Sequence, residues 1–461
     1  MKINNIFSIT RDNASNNNTL LDFFKKSYYS LTNKEFIIDI RCAAHILNLV
    51  ARDILRDYLR SSSNSTTTTT IDSTITSRIR RLASILKYNH EPKKLFTEGI
   101  HKYKTKGIIP LNYNIIHIPL DNTTRWNSTY YIIKTTLELK EPILYVLRNT
   151  ENDEFQQLIL NNTEWEILHE LSLIFEVFVK PTTKLQGQIY TTLNHTLLYI
   201  YKIYSKLHSL MKTYKAKAQA LRTNNNNNNN YYNSFISAIK AGIEKLDKYF
   251  PQHLSSHSIK NYRPYFISIA LDPRLKLIHF EEKGLLYFYP GIKDDILALF
   301  KSEYNKVKAE VNRHKTAQPT TQFNASFDEL NEDIYNASSQ DNSSDSDDFY
   351  IKDNSQIKDE STAYFNESTI SSKIHPLDYW KHNIYKYPIL NIIARRYLAI
   401  PATSASIEST FSIGSNIITK SRNRLSSTTA KQLILLKSWK IKDLKELEKE
   451  REVEEEEDIE E

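Results

Sequence analysis

The 461-residue chain is 40 % hydrophobic and 11 % aromatic, so it can bury a sizeable core, and its length predicts two packed units rather than a binding peptide. The formal net charge is +7, but residues 443–461 hold twelve acidic and three basic residues, so the rest of the chain carries about +16. This surplus fits a polyanionic partner, although Lys and Arg also keep large domains soluble.

Cysteine content and hydropathy restrict the cellular context. The single cysteine, Cys42, excludes an intramolecular disulfide and a cysteine-rich zinc finger within the chain. The N-terminus has no signal-peptide pattern, and no apolar run approaches the roughly 18 residues that span a bilayer. We therefore expect a soluble intracellular protein without a membrane partner.

The first candidate site residue is Asp12, in the stretch NIFSITRDNASNN. Ile6, Phe7, Ile9 and Thr10 predict a short buried strand, and the polar residues after it predict a turn or helix cap. In the first interpretation, Asp12 is a capping residue. Because open α/β sheets bind ligands and metals at the carboxyl ends of their strands, Asp12 is also a candidate metal ligand.

Cys42 and His45, in the stretch CAAH, have the spacing of half a zinc site. The chain has no other cysteine and no convincing pair of histidines to complete it, so we reject a zinc site.

The second candidate carboxylate is Asp121, in IIHIPLDNTTRWNSTYYIIKTTL. The apolar run 115–120 predicts another short strand that ends on this aspartate, and a helix is expected to begin near Asn127 or Ser128. Arg125 and Trp126 would lie in the preceding loop. They could bind a phosphate and stack on a base, or form a buried Trp beside an extended Arg.

Residues 138–311 have the periodicity of helices throughout. Apolar residues from Trp165 to Phe178 share one helix face, and Pro181 is expected to interrupt that helix. The polar tracts 61–70 and 224–230 predict flexible loops, and the Ser-, Asn- and Asp-rich range 312–373 predicts a disordered acidic linker.

The third candidate carboxylate is Glu408, in IPATSASIESTFSIGSNIITKSRNRLS. The Ser/Thr cluster predicts a helix start, so Glu408 lies in the first turns, where a carboxylate interacts favourably with the helix dipole. Lys420, Arg422 and Arg424 follow in a predicted loop, where they could contact a DNA phosphate or only solvent.

Successive stretches resemble, in order, the conserved blocks of hAT (hobo/Activator) transposases. They are FSITRDNASNN, RCAAHILNLVARD, TTRWNSTYYII, ALDPRLKL and the block from YLAIPATSASIE to NRLS with LILLKSW after it. The resemblance implies an α/β fold: an RNase H-like mixed-sheet core interrupted by a large all-helical insertion. It also implies that Asp12, Asp121 and Glu408 are the catalytic acids and metal ligands.

The implied chemistry is cleavage and transfer of DNA strands in the nucleus, without a small-molecule substrate. Two Mg²⁺ (or Mn²⁺) ions would activate a water or 3′-hydroxyl and stabilise the leaving oxygen, and such ions prefer carboxylate ligands. By resemblance, Cys42 and His45 open a helix near the active site and pack or orient it. Trp165 resembles a tryptophan that stacks on DNA bases in the family, and a core aromatic is its alternative role.

Two departures from the family pattern weaken the expectation of an active enzyme. The chain starts almost at the first catalytic strand, without the BED-type zinc finger that usually precedes it. Glu408 and Gly414 are each followed by serine, where the family usually has Ser-Glu-Arg and a glycine pair. The first alternative to an active transposase is therefore a domesticated, non-catalytic DNA-binding or dimerisation protein. A third interpretation is a cellular nuclease of the same fold.

The resemblance also predicts the domain order. Residues 1–137 form the first part of the core, 138–311 the helical insertion, 312–373 the linker, 374–442 the last part of the core with a dimerisation region, and 443–461 an acidic tail. Apolar residues in the dimerisation region exceed what one core face needs: Ile389, Leu390, Ile392, Ile393, Leu398, Leu433, Leu436 and Trp439. We therefore expect a homodimer or larger homo-oligomer, the alternative being that these residues pack only within the chain.

Overall fold

The computed structural model describes residues 6–14, 16–32, 38–63, 75–115, 117–120, 126–150, 155, 157–223, 231–316, 359–419 and 424–440. The chain folds into two units. The first unit combines Met1–His45 with Pro401–Glu461, and the second is Ile46–Ile400. The chain therefore leaves the first unit after residue 45 and returns to it at residue 401.

Most of the described residues are helical. In chain order the elements are β1 (Ser8–Arg11), α1 (Asn16–Thr32), β2 (Ile38–Arg41), α2 (Ala43–Ser63), α3 (Ile75–Tyr88), α4 (His90–Thr105), α5 (Trp126–Glu138), α6 (Lys140–Arg148), α7 (Asn162–Leu185), α8 (Leu193–Thr223), α9 (Tyr231–Asp247), α10 (Arg263–Ala270), α11 (Ile292–Thr316), α12 (Glu360–Asn366), α13 (Pro376–His382), α14 (Pro388–Leu398), α15 (Ala405–Ile417) and α16 (residues 427–440).

The sheet seen in the described residues consists of β1 and β2, which pair in parallel with Ser8 opposite Ile38 and Arg11 opposite Arg41. A strand before Asp12 is confirmed, but it spans Ser8–Arg11 and its apolar residues are half-buried, so the prediction of a buried strand is wrong. Arg11 fixes the pairing through two bonds to the Asp39 carboxylate, at 2.8 and 2.9 Å. The prediction of an α/β fold is thus confirmed only coarsely, as a small parallel sheet among many helices.

The prediction of a strand over residues 115–120 is wrong for the residues of this range that the structure describes. Residues 117–120 form no strand, and Ile118 is buried while Leu120 is exposed. The physical reason is Pro119, which cannot donate a hydrogen bond to a neighbouring strand.

The second unit confirms the helices that the apolar periodicity predicts. Helix α7 buries Trp165, Leu168, Leu171 and Phe178 on its predicted face, and it packs against α5 and α8. Pro181 does not interrupt the helix, which continues to Leu185. Proline removes a single backbone donor, and burial of both Pro181 and Leu185 keeps the last turn packed in the core.

Part of the range predicted as a disordered linker is ordered. Residues 359–373 are described and contain α12, whereas 317–358 lie outside the described residues, as do the polar tract 224–230, most of the tract 61–70 and the acidic tail. Burial raises the pKa of Glu360, whose carboxylate accepts hydrogen bonds from the amides of Ile389 and Leu390 at the start of α14. These long-range bonds explain why a polar segment is ordered here.

A buried polar cluster follows α10, in the stretch ALDPRLKL. The Asp272 carboxylate is fully buried and accepts hydrogen bonds from the Arg274 guanidinium and from Asn194 Nδ2 on α8. Arg274 also donates to His195 Nε2, at 3.2 Å. The cluster therefore joins α8 to the chain after α10.

His195 should make the second unit less stable in mild acid. Burial lowers the pKa of His195 to about 4, with Arg274, Lys202 and His279 acting in the same direction and Asp272 opposing them. Between pH 6.5 and 4 the unfolded chain therefore holds more protons than the folded chain, and the free energy of unfolding falls by about 1–3 kcal/mol. Urea melts across this pH range should show that the free energy of unfolding depends less on pH in His195→Gln than in the wild type. An equal pH dependence in the two proteins would contradict this role of His195.

Candidate functional site

Asp12 follows β1 directly and lies at the carboxyl end of the parallel pair. Its Oδ1 accepts hydrogen bonds from the Ala14 amide, at 2.9 Å, and from the Asn17 side chain at the start of α1. Arg11 and Arg41 both donate to Asn18, at 2.9 and 3.2 Å, and hold the start of α1 against the strands. The predicted turn after the strand is confirmed, and Asp12 is oriented by it.

Glu408 is joined to the same end of the sheet through Ser404 and Cys42. Cys42 follows β2 directly, and its amide donates to the Arg11 carbonyl at 2.7 Å. The buried Cys42 Sγ accepts from the Ser404 amide at 3.3 Å. Ser404 Oγ lies 3.3 Å from this sulfur and 3.0 Å from Glu408 Oε1, so it can donate to either acceptor.

Two further bonds fix the segment before α15 on the sheet. The Ala43 amide donates to the Ala402 carbonyl at 2.9 Å, and Thr10 Oγ1 donates to the Pro401 carbonyl at 2.8 Å. Asp12 and Glu408, which are far apart in sequence, are therefore both anchored at the carboxyl end of the two strands. This is where parallel sheets place ligand-binding groups.

The remaining predicted site residues are only partly described. Asp121, Arg125, Lys420 and Arg422 lie outside the described residues. Arg424 is exposed in a turn before α16. Within the described ranges, no three His, Cys, Asp or Glu side chains lie close enough together to hold a metal ion.

Trp126 lies in a helix and not in the loop predicted from the sequence. Helix α5 begins at Trp126, whose amide donates to Asn48 Oδ1 at 3.2 Å. The indole is 5 % exposed and packs against Phe175 and Phe178. Of the two roles considered for Trp126, the structure shows the buried one, since the core already covers the ring.

Trp165 is also a core aromatic in this structure. Its side chain is 6 % exposed, on the buried face of α7, and Lys140 Nζ lies 5.0 Å from its ring centroid. Stacking on a DNA base would require the indole to leave these contacts.

Cys42 and His45 mark the start of α2, as the resemblance implies. Cys42 is buried and acts as a hydrogen-bond acceptor for Ser404, while His45 is half-buried in the first helical turn. Ser404 is not among the site residues predicted from the sequence. The signal that could have identified it is its position four residues before Glu408, at the start of the predicted helix.

The apolar residues of the C-terminal region differ in burial, and Ile389 and Ile392 are half-buried. Leu390, Ile393 and Leu398 are buried, because α14 packs against α10, α11 and α13; their predicted role in association is wrong. Exposed apolar side chains instead occur on α15 and α16, and they are Ile407, Phe411, Leu433, Leu435, Leu436 and Trp439. Gly414 of α15 allows a close approach to α16, because a Cβ at this position would lie only 3.3 Å from the Ile434 side chain.

None of the helices in the described ranges is long and apolar enough to cross a membrane. Residues 352–440 match the hAT family C-terminal dimerisation region. Residues 40–173 match the ZBED1 RNase-like helical domain. The first match includes α12–α16, and the second runs from the end of β2 into α7.

Curated relatives point to the same family. The chain is 26 % identical to the putative AC transposase of Zea mays and 25 % identical to its putative AC9 transposase, in each case over 94 % of the chain. It is 23 % identical to the zinc finger BED domain-containing protein DAYSLEEPER of Arabidopsis thaliana, over 70 % of the chain. The chain spans 48, 49 and 41 % of these relatives, respectively. These matches confirm the resemblance to the hAT superfamily: residues 352–440 are similar to the family's C-terminal dimerisation region, and residues 40–173 to the ZBED1 RNase-like helical domain.

Proposed function

We propose that the chain is the core of a transposon-derived hAT transposase that cleaves and transfers DNA strands in the nucleus. The observation that carries the proposal is the anchoring of Asp12 and Glu408 at one end of the parallel strands. Asp12 directly follows β1, and Glu408 accepts a hydrogen bond from Ser404, whose amide donates to Cys42 after β2. The similarity to AC transposases and the RNase-like helical match support an RNase H-like core around this pair. Asp121 would be the third acid.

The chemistry of the two anchored side chains suits a divalent metal ion. Mg²⁺ and Mn²⁺ prefer oxygen ligands, and both anchored side chains are carboxylates. Within the described ranges Asp12 Oδ2 accepts no hydrogen bond, and Glu408 is exposed. When bound, the metal would supply an activated water or 3′-hydroxyl and stabilise the leaving oxygen.

The protein's own contribution is positioning. Ala14 and Asn17 hold one oxygen of Asp12 and leave the other to face a ligand. Ser404, itself fixed by Cys42, orients Glu408. The basic surplus outside the acidic tail would attract the DNA backbone.

The assay is nicking of supercoiled plasmid with Mg²⁺ or Mn²⁺, with EDTA as the control. Nicking that requires the metal is the expected result. Plasmid binding without nicking would favour the second candidate, a domesticated DNA-binding or dimerisation protein. That candidate has its own support, because relatives include BED zinc finger proteins and a putative transcriptional regulator, tpeD, of Talaromyces stipitatus.

The proposed assembly is a homodimer or larger homo-oligomer formed through α15 and α16. Phe411 is 72 % exposed and Trp439 is 57 % exposed, both within the matched dimerisation region. Large exposed aromatic side chains are favourable anchors in protein interfaces. A second copy of the chain is the occupant that this match implies.

Replacing Phe411 and Trp439 by glutamate should weaken self-association by about 100-fold or more, since each buried anchor contributes about 2 kcal/mol. Light scattering at micromolar concentration should change from a dimeric or larger mass to a monomeric mass. Ile189→Glu, at an exposed position of the other unit, is the matched control and should leave the mass unchanged. A monomeric wild-type chain would defeat the proposal.

A further inference from the structure

The second unit contains a cleft of about 240 Å³ that the catalytic proposal does not use. It lies among α2, α3, α5 and α7. Arg52 and Arg56 of α2 and Arg80 of α3 line it together with the apolar side chains of Leu55, Trp126 and Phe175. Three guanidinium groups therefore border one small apolar depression.

Two of these arginines, Arg52 and Arg56, have little neutralisation from carboxylates within the described residues. Among the described residues that line it, none carries a carboxylate. Arg52 is exposed and forms no ion pair within the described ranges. Arg56 reaches Asp53 at 3.1 Å, but its side chain is 76 % exposed, and such surface pairs contribute little stability. Arg56 can thus exchange this partner for a ligand at small cost.

Arg80 is positioned more firmly than the other two arginines. Its Nη2 lies 3.5 Å from Thr129 Oγ1 on α5, which also lines the cleft. One guanidinium is consequently held against the wall, while Arg52 and Arg56 extend from the exposed face of α2. Arg60 continues the same row at four-residue spacing and is also exposed.

We infer that this cleft binds a DNA strand, with a backbone phosphate on Arg52 and Arg56 and the adjoining sugar against the half-buried Leu55 side chain. Arginine binds phosphate oxygens in a bidentate manner, which suits a site whose described lining supplies several guanidinium groups and no acid. The row from Arg52 to Arg60 offers contacts to neighbouring phosphates. The inference rests on the proposed function, which makes DNA the ligand. It adds the surface of the second unit that contacts this DNA.

The test compares two double variants with the same loss of charge. Arg52→Ala with Arg56→Ala alters the cleft. Lys301→Ala with Lys306→Ala is the control, because both lysines are exposed on α11, which does not border the cleft. Binding of a short fluorescein-labelled duplex is followed by fluorescence anisotropy over a range of salt concentrations, and circular dichroism melts verify that both variants fold.

The cleft variant should bind the duplex about tenfold more weakly than wild type at moderate salt, and the slope of log K against log salt should become shallower by about 2. The control variant should lose clearly less affinity for the duplex than the cleft variant. Equal losses in the two variants would overturn the inference and leave the proposed function standing. No duplex binding by the wild-type chain at low salt would overturn both the inference and the DNA-binding part of the proposed function.

Discussion

Replacing Asp12 by asparagine should lower metal-dependent plasmid nicking by about a thousandfold or more. Asparagine keeps the size of the side chain and can still accept from the Ala14 amide, so the turn after β1 should survive. It removes the negative charge that a divalent ion requires, and metal stabilisation of the transition state is worth several kcal/mol, at about 1.36 kcal/mol per tenfold in rate. Glu408→Gln should have a comparable effect.

Asp22→Asn is the matched control for this experiment. Asp22 is exposed on α1, in the same unit, and the substitution changes the charge by the same amount. Its nicking rate should equal that of the wild type, and Asp12→Asn should keep its DNA affinity. Nicking by Asp12→Asn at the wild-type rate would sink the assignment of Asp12 as a metal ligand.

Asp272→Ala should destabilise the second unit by about 3–5 kcal/mol, the cost of breaking a buried ion pair by removing one partner. Asp272 is 0 % exposed, and its carboxylate accepts from Arg274 Nε and Nη2 and from Asn194. Without it the Arg274 charge and the Asn194 amide lose their acceptor in the protein interior. Urea denaturation followed by circular dichroism measures the loss.

Glu98→Ala removes an exposed carboxylate of the same unit and should change stability by no more than about 0.5 kcal/mol. The double variant Asp272→Asn with Arg274→Met should be less damaging than Asp272→Ala, because it leaves no unpaired charge. If Asp272→Ala unfolded at the wild-type urea concentration, the buried cluster would not be a source of stability.

Features that depend on neighbouring residues can be predicted from the sequence alone. The apolar periodicity of α7 and α8 and the strand before Asp12 follow from local spacing, because a helix or strand with one apolar face must bury that face. The turn at Asp12 was likewise predictable, since its side chain bonds residues two and five positions later.

Features that join distant segments depend on the tertiary fold and could not be predicted locally. Cys42 receives the Ser404 hydrogen bond across more than 350 residues, and no local pattern predicts that contact. Leu390, Ile393 and Leu398 of α14 looked available for association, but packing against α10, α11 and α13 buries them, whereas apolar side chains on α15 and α16 are exposed. The arginine cleft likewise combines four helices. Burial and partner choice depend on which surfaces meet after folding, so the sequence could supply the candidate side chains but not their surroundings.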